Sequence, residues 1–272
     1  MAKRTTEQLA WAIRRHGVEM THLGKSSHVG AILSEADILA VLYGEVLNVD
    51  SHNPKLPTRD RFILSKGHAG AGVYAALAET GFFPVEELKT HYRDGSRLSG
   101  HVSHKGIPGV EVSTGSLGHG LPMACGMALN AKLRNEKHFV YVLMGDGECD
   151  EGSNWEAFLI ANHQKLNNLI VIIDHNKMQS LDFCENTLSL APFADKLRAF
   201  GMNVSDIDGH DHGALKAAFR AAKESDRPTV IIANTIKGKG ISFMENDILW
   251  HYRTPQGEEY EAAVRELEAQ KP

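Results

Sequence analysis

Apolar positions fall near helical spacing from residue 6 to about residue 23, where Leu9, Ala12, Ile13, Val18 and Met20 recur. A second helix is expected from Ser34, an N-cap candidate with Asp37 three residues on, to about residue 47. The short run Arg61-Phe-Ile-Leu64 reads as a strand that leads into Ser65-Lys66-Gly67-His68 and an alanine-rich helix. Residues 95–120 are rich in glycine and histidine and read as loop; residues 120–134 read as helix. Three uninterrupted apolar runs, 139–144, 169–173 and 229–233, read as strands covered on both faces, and 203–207 adds a fourth. Helical stretches at 153–165, 193–200 and 212–224 separate them, and a charged helix closes the chain at 257–270. Strands alternating with helices predict an α/β fold, a doubly wound and mostly parallel sheet with helices on both faces. No repeat, low-complexity stretch or linker divides the chain, so residues 1–272 are expected to form one domain with a helical tail.

Composition removes several function classes. The formal net charge of −5 is spread along the chain, and no basic run of the kind a nucleic acid needs is present. No apolar stretch follows the first residues as in a secretory signal, and the run 169–173 is far too short to span a bilayer. Cys125, Cys149 and Cys184 are not at metal-ligand spacing, and a reduced cytoplasmic setting fits them. The 15 histidines are many for this length, and His28, His68, His101 and His119 each adjoin glycine or serine. Flexible backbone lets such a ring approach a ligand closely, although any one of them could be an ordinary surface histidine.

The sharpest motif is Met144-Gly145-Asp146-Gly147-Glu148 at the end of the 139–144 strand. An aspartate at the carboxyl end of a parallel strand faces the crevice where such sheets bind ligands, and the flanking glycines let amides approach a diphosphate. Alone, Gly-Asp-Gly is equally a plain strand-to-helix turn. The 169–173 strand ends in Asp174-His175-Asn176-Lys177-Met178, and a helical crossover would set it beside the first. Asp146 and Asn176 then emerge together, and their hard oxygen donors suit magnesium or calcium, which complete their shell with phosphate oxygens and water. The layout suggests a metal holding a diphosphate. A nucleotide site is the alternative, but neither a Gly-x-Gly-x-x-Gly nor a Gly-Lys-Ser/Thr loop stands at a strand end.

Gly145-Asp146-Gly147 followed by Asn176 resembles the thiamine diphosphate motif. The resemblance implies a divalent metal (Mg2+, or Ca2+ or Mn2+) on Asp146, Asn176 and the Met178 carbonyl, with Gly147 at the cofactor. Ser26-Ser27-His28-Val29-Gly30, Ser65-Lys66-Gly67-His68-Ala69, Ser99-Gly100-His101 and Thr114-Gly115-Ser116-Leu117-Gly118 resemble, in order, the loops of transketolases. By that resemblance His28 and His101 touch substrate hydroxyls, and Gly115, Ser116 and Leu117 meet the aminopyrimidine. His68 and His251 lie nearer the diphosphate, with His251 also a catalytic candidate. The chain reads His251-Tyr252-Arg253 where the family often has His-Gly. Glu151 and Glu156 suit a helix N-terminus, and in similar enzymes such glutamates join a carboxylate network at the dimer interface.

The resemblance runs through nearly the whole chain and implies the diphosphate-binding domain of a transketolase made as a separate N-terminal subunit. It would transfer a two-carbon ketol unit between sugars or sugar phosphates. A C-terminal partner subunit, expected in a two-plus-two heterotetramer, would supply the ring-activating glutamate and the basic residues that grip a sugar phosphate. Rival readings are a deoxyxylulose phosphate synthase-like enzyme, a 2-oxo acid dehydrogenase component and a non-catalytic regulatory subunit. The sequence does not name the ketose donor or the aldose acceptor.

Overall fold

The structure is a computed structural model and describes residues 4–272. Five strands form one parallel sheet in the order β1-β2-β3-β5-β4. They are β1 (Arg61–Leu64), β2 (Val140–Gly145), β3 (Leu169–His175), β4 (Asn203–Asp208) and β5 (Thr229–Asn234). The expected strands are all present, with ends shifted by a residue or two. The helices are α1 (Thr6–Gly24), α2 (Val29–Val41), α3 (Gly70–Glu79), α4 (Gly120–Leu133) and α5 (Gly152–His163). They continue with the single turn α6 (Cys184–Thr187), then α7 (Phe193–Ala199), α8 (His212–Glu224) and α9 (Glu258–Ala269).

The strands show why no polar alternation was legible. Along β2, Tyr141 and Leu143 pack into a core with α1, α2, α3 and α8, while Val140, Val142 and Met144 pack into a second core with α4, α5 and α7. Both faces of each central strand are covered, so neither parity needs to be polar. A third, smaller cluster joins Val18, Val29 and Leu33 to Ile241, Met244, Trp250 and Leu267. It clamps the segment after β5 onto α1 and α2 and so carries residues near 250 to the carboxyl edge of the sheet.

One expected boundary is wrong. The second helix begins at Val29, and Ser34 lies inside it rather than capping it. Every residue from Val29 to Val41 is buried, so α2 has no polar stripe from which its register could be read. Its cap is His28, in the left-handed conformation at φ 72°. The Ser34 hydroxyl instead donates to Asp174 at 2.5 Å.

Candidate functional site

The parallel register pairs Gly145 with Asp174, which sets the ends of β2 and β3 side by side. Asp146 and Asn176 follow directly, as the spacing predicted. Asp146 is 2% exposed, and its two oxygens are aimed by the N–H of Gly147 at 2.8 Å and of Lys177 at 2.5 Å. Burial raises its carboxyl above the ordinary range, and among the described residues it forms no ion pair with lysine or arginine. Asn176 accepts the Met178 N–H at 3.2 Å and donates to Asp174 at 3.3 Å.

Asp174 anchors this floor. It accepts from Ser34, Thr235 and the ammonium of Lys66. Lys66 is fully buried and also lies 3.1 Å from Glu35. Burial works to strip its charge, but Asp174 and Glu35 hold the ammonium above the usual lysine range. Burial pushes Glu35 up to about 8, with the Lys66 ammonium pulling the other way. Lys66 is then paired with Asp174, and Asp146 is left with no direct ion pair among the described residues, its carboxylate acting on the Lys237 ammonium across the cavity.

That is an observation a cation would satisfy. One carboxylate, one amide oxygen and one carbonyl are also the sparse hard donors that magnesium takes when phosphate and water complete its shell. No cluster of three or more histidine, cysteine, aspartate or glutamate side chains suited to a metal occurs among the described residues.

A second carboxylate had no assigned role in the sequence. Glu148 is buried and accepts from the Ser65 hydroxyl, the Gly118 N–H at 3.0 Å and the Gly145 N–H at 3.2 Å. It ties three loops together behind the site. Glu151, by contrast, is exposed at the start of α5, and a Cβ on Gly118 would sit 2.6 Å from its Cβ. Neither Glu151 nor the exposed Ser116 lines the cavity; Gly115, Leu117 and Gly147 do. Glu156 is exposed on α5.

Above the metal-ligand candidates lies a cavity of about 350 Å³ ringed by His28, His68, His101, His251 and Tyr252. The His28 ring centre is 4.9 Å from His68, 4.9 Å from His251 and 5.9 Å from His101. The main-chain N–H of His28 donates to the His251 carbonyl at 2.8 Å, so the two loops are joined directly. His101 packs on Gly115, where a Cβ would come within 2.9 Å of its ring. His119, which had looked similar in sequence, is exposed and lies outside the lining.

Burial, with the positive ends of its neighbours, pulls His28 down to about 4 and His251 to about 3, and lowers His68 well below its usual value. These rings are neutral at pH 7 and each offers one N–H and one lone pair. The Nδ1 of His28 has no hydrogen-bond partner among the described residues.

Lys237 had no assigned role in the sequence. Its ammonium reaches into the cavity and donates to the carbonyls of Met178 and Gln179, both at 3.2 Å, and lies 2.9 Å from His251 Nδ1. Burial pulls it down to about 8. A lysine buried next to a diphosphate-sized cavity is the signal that would have found it.

A parallel sheet with a hard-donor site at adjacent strand ends defines a diphosphate-binding α/β protein. Comparison with known proteins makes this specific. The family described as transketolase, thiamine diphosphate binding domain, matches residues 5–268. The chain belongs to the transketolase family. It is 46% identical over 263 residues to an apulose-4-phosphate transketolase subunit of Actinobacillus succinogenes, covering 96% of this chain and 95% of that one. It is 44% identical over 242 residues to the 6-deoxy-6-sulfo-D-fructose transketolase subunit SqwG of a Clostridium species, covering 89% and 88%. Transketolase from Campylobacter jejuni superposes with a TM-score of 0.91 at 31% identity, over 100% of this chain and 43% of the other. The chain thus spans about two fifths of that solved transketolase.

Proposed function

We propose that this chain is the N-terminal, diphosphate-binding subunit of a two-subunit transketolase. The reading rests on one arrangement: a buried Asp146 with no direct ion pair among the described residues, beside Asn176, at the foot of a cavity ringed by four imidazoles. Asp146, Asn176 and the Met178 carbonyl would hold Mg2+ or a similar divalent ion. The Gly147 amide and Lys237 would meet the diphosphate, with His68 and His251 beside it, and Gly115 and Leu117 would face the aminopyrimidine. Thiamine diphosphate, when bound, supplies the carbanion and electron sink of ketol transfer.

The protein's own task is to orient sugar hydroxyls and to move protons on sugar oxygens. Neutral His28 offers a lone pair and an N–H to one hydroxyl, and His101 stands across the cavity to bind another. His251, braced by Lys237, stands between the substrate side and the diphosphate side. The buried Lys66–Asp174 pair keeps this floor rigid, so the ligands need little reorganisation on binding.

Residues 1–272 act as one diphosphate-binding domain, and Glu151 reaches the cofactor environment only through an interface. The two relatives above are themselves named as subunits, which supports a C-terminal partner chain; a two-plus-two assembly is the stoichiometry proposed with it. Both are named for sugars bearing a phosphate or sulfo group. An anionic sugar is the substrate class proposed here, with its charged group read by the partner, because the cavity lining contains no arginine. A reduced cytoplasmic setting fits the three free cysteines, all buried. No helix among the described residues is long and apolar enough to cross a membrane.

The test is reconstitution with the partner chain and assay against a panel of ketose phosphates. Turnover is expected from the pair and not from either chain alone, and His101→Ala should lower it about 100-fold or more. Full activity of this chain by itself would overturn the two-subunit reading. A pair inert toward every ketose would overturn the transketolase reading.

A further inference from the structure

Outside the cavity, a buried chain of hydrogen bonds runs from α2 to the loop that carries Lys237. Asp37 is 5% exposed and is met by the two terminal guanidinium nitrogens of Arg14, by His212 Nε2 at 3.0 Å and by His210 Nδ1 at 2.6 Å. Burial works to raise its carboxyl, but Arg14 and the two imidazoles hold it well below the carboxylate range. The other nitrogen of His210, Nε2, accepts the main-chain N–H of Ile236 at 2.9 Å. The tautomer follows from these two contacts: the ring proton sits on Nδ1, facing Asp37, and the lone pair on Nε2 faces Ile236.

Ile236 directly precedes Lys237. The sheet stops short of this point, since β5 ends at Asn234. Gly238, just beyond, is in the left-handed region at φ 84°. The turn between them is held by the Thr235 N–H on His175 and the Gly238 N–H on Gly30, and by His210 in the middle. From this turn Lys237 reaches Met178, Gln179 and His251. The His210 bond is the one side-chain contact named in this turn beside Lys237, and neither Asp37 nor His210 lines the cavity itself.

We propose that His210, oriented by Asp37, is a positioning residue for Lys237, and through it for the end of the site that grips a diphosphate. The proposal rests on reading the cavity as the thiamine diphosphate site. Outer hydrogen-bond partners of this kind set ligand affinity by about 10- to 100-fold when removed.

Two substitutions separate the two nitrogens of the ring. His210→Asn places an amide nitrogen near the Nδ1 position, so it can keep Asp37 but cannot reach Ile236. His210→Gln places its oxygen near the Nε2 position, so it can accept from Ile236 but releases Asp37. The measurement is the dissociation constant of thiamine diphosphate for the chain reconstituted with its partner at saturating Mg2+, paired with hydrogen exchange at the Ile236 amide. The asparagine variant is expected to bind about ten-fold or more weakly and to exchange faster at Ile236. The glutamine variant is expected to stay within about three-fold of the parent.

A role confined to stabilising Asp37 predicts the opposite order, and that order, or equal affinities, overturns the proposal. If the glutamine variant does not fold, the asparagine variant against the parent decides alone. Asp146→Asn is the control for the underlying reading. If that substitution leaves thiamine diphosphate affinity unchanged, the cofactor assignment has failed, while Ile236 exchange in the two His210 variants still judges the relay.

Discussion

The two ends of the cavity are built on different principles. At the floor, Asp146, Asp174, Lys66 and Asn176 are buried and cross-linked by hydrogen bonds before any ligand arrives. At the mouth, His101 is exposed, Tyr252 is 61% exposed, and the imidazoles meet ring to ring with few hydrogen bonds between them. A buried charge is tolerated only with partners, so the floor has to be rigid to exist at all. Neutral aromatic rings make no such demand, and the mouth can stay open to a substrate and to a covering chain. The floor is thus set before any ligand arrives, and the mouth is left adaptable.

Four measurements sharpen or break this contrast. The largest effect is expected from Asp146→Ala at the floor. Thiamine diphosphate affinity with Mg2+, read by titration calorimetry, should fall beyond the roughly 100-fold that even an outer partner can cost. Binding within ten-fold of the parent, on the order of 1.4 kcal/mol, would remove the metal from the account.

Next is Lys66→Met, which leaves Asp174 buried without its cation. Urea unfolding should show a loss of about 3–5 kcal/mol, the usual result of breaking one side of a buried pair. Tyr252→Phe at the mouth should leave that stability unchanged.

The third is acid sensitivity. His28 titrates near 4 and His251 near 3 in the folded chain, against an ordinary 6.5. Below pH 6.5 the unfolded chain therefore binds protons that the folded chain refuses. Stability should begin to fall as the pH drops through 6.5, and this contribution should be fully lost only below about 4 to 3. Replacing both histidines by asparagine should flatten the dependence of the urea midpoint on pH over that window; an unchanged slope would mean the rings are not held neutral by burial.

The smallest effect is on selectivity. Tyr252 stands 4.7 Å from the His251 ring and 5.8 Å from His28, at the open side of the cavity. Tyr252→Gly in the reconstituted pair should shift the ratio of kcat/KM between two ketose donors by about three- to ten-fold, on the order of 1 kcal/mol, with thiamine diphosphate affinity unchanged.

The sequence was most readable where the site is local. Asp146 and Asn176 follow directly on strands whose apolar runs are unmistakable, and their register follows from the crossover between them. The histidine loops were readable because glycine and serine mark them. Glu148 escaped because its three partners, at positions 65, 118 and 145, meet only in the fold. Lys237 escaped for the same reason, since Met178 and His251 converge on it from separate segments. Ser34 was misread because α2 is buried all round, and periodicity carries no information on a helix without a wet face.

The bond from the His28 amide to the His251 carbonyl has a consequence in time. It joins two residues that lie on opposite sides of the whole sheet in sequence, and contacts of such separation form late because the loop between them must first be ordered. A nascent chain can lay down β1 to β5, and with them the floor, before residue 251 has left the ribosome. The ring of imidazoles cannot close until that residue has emerged.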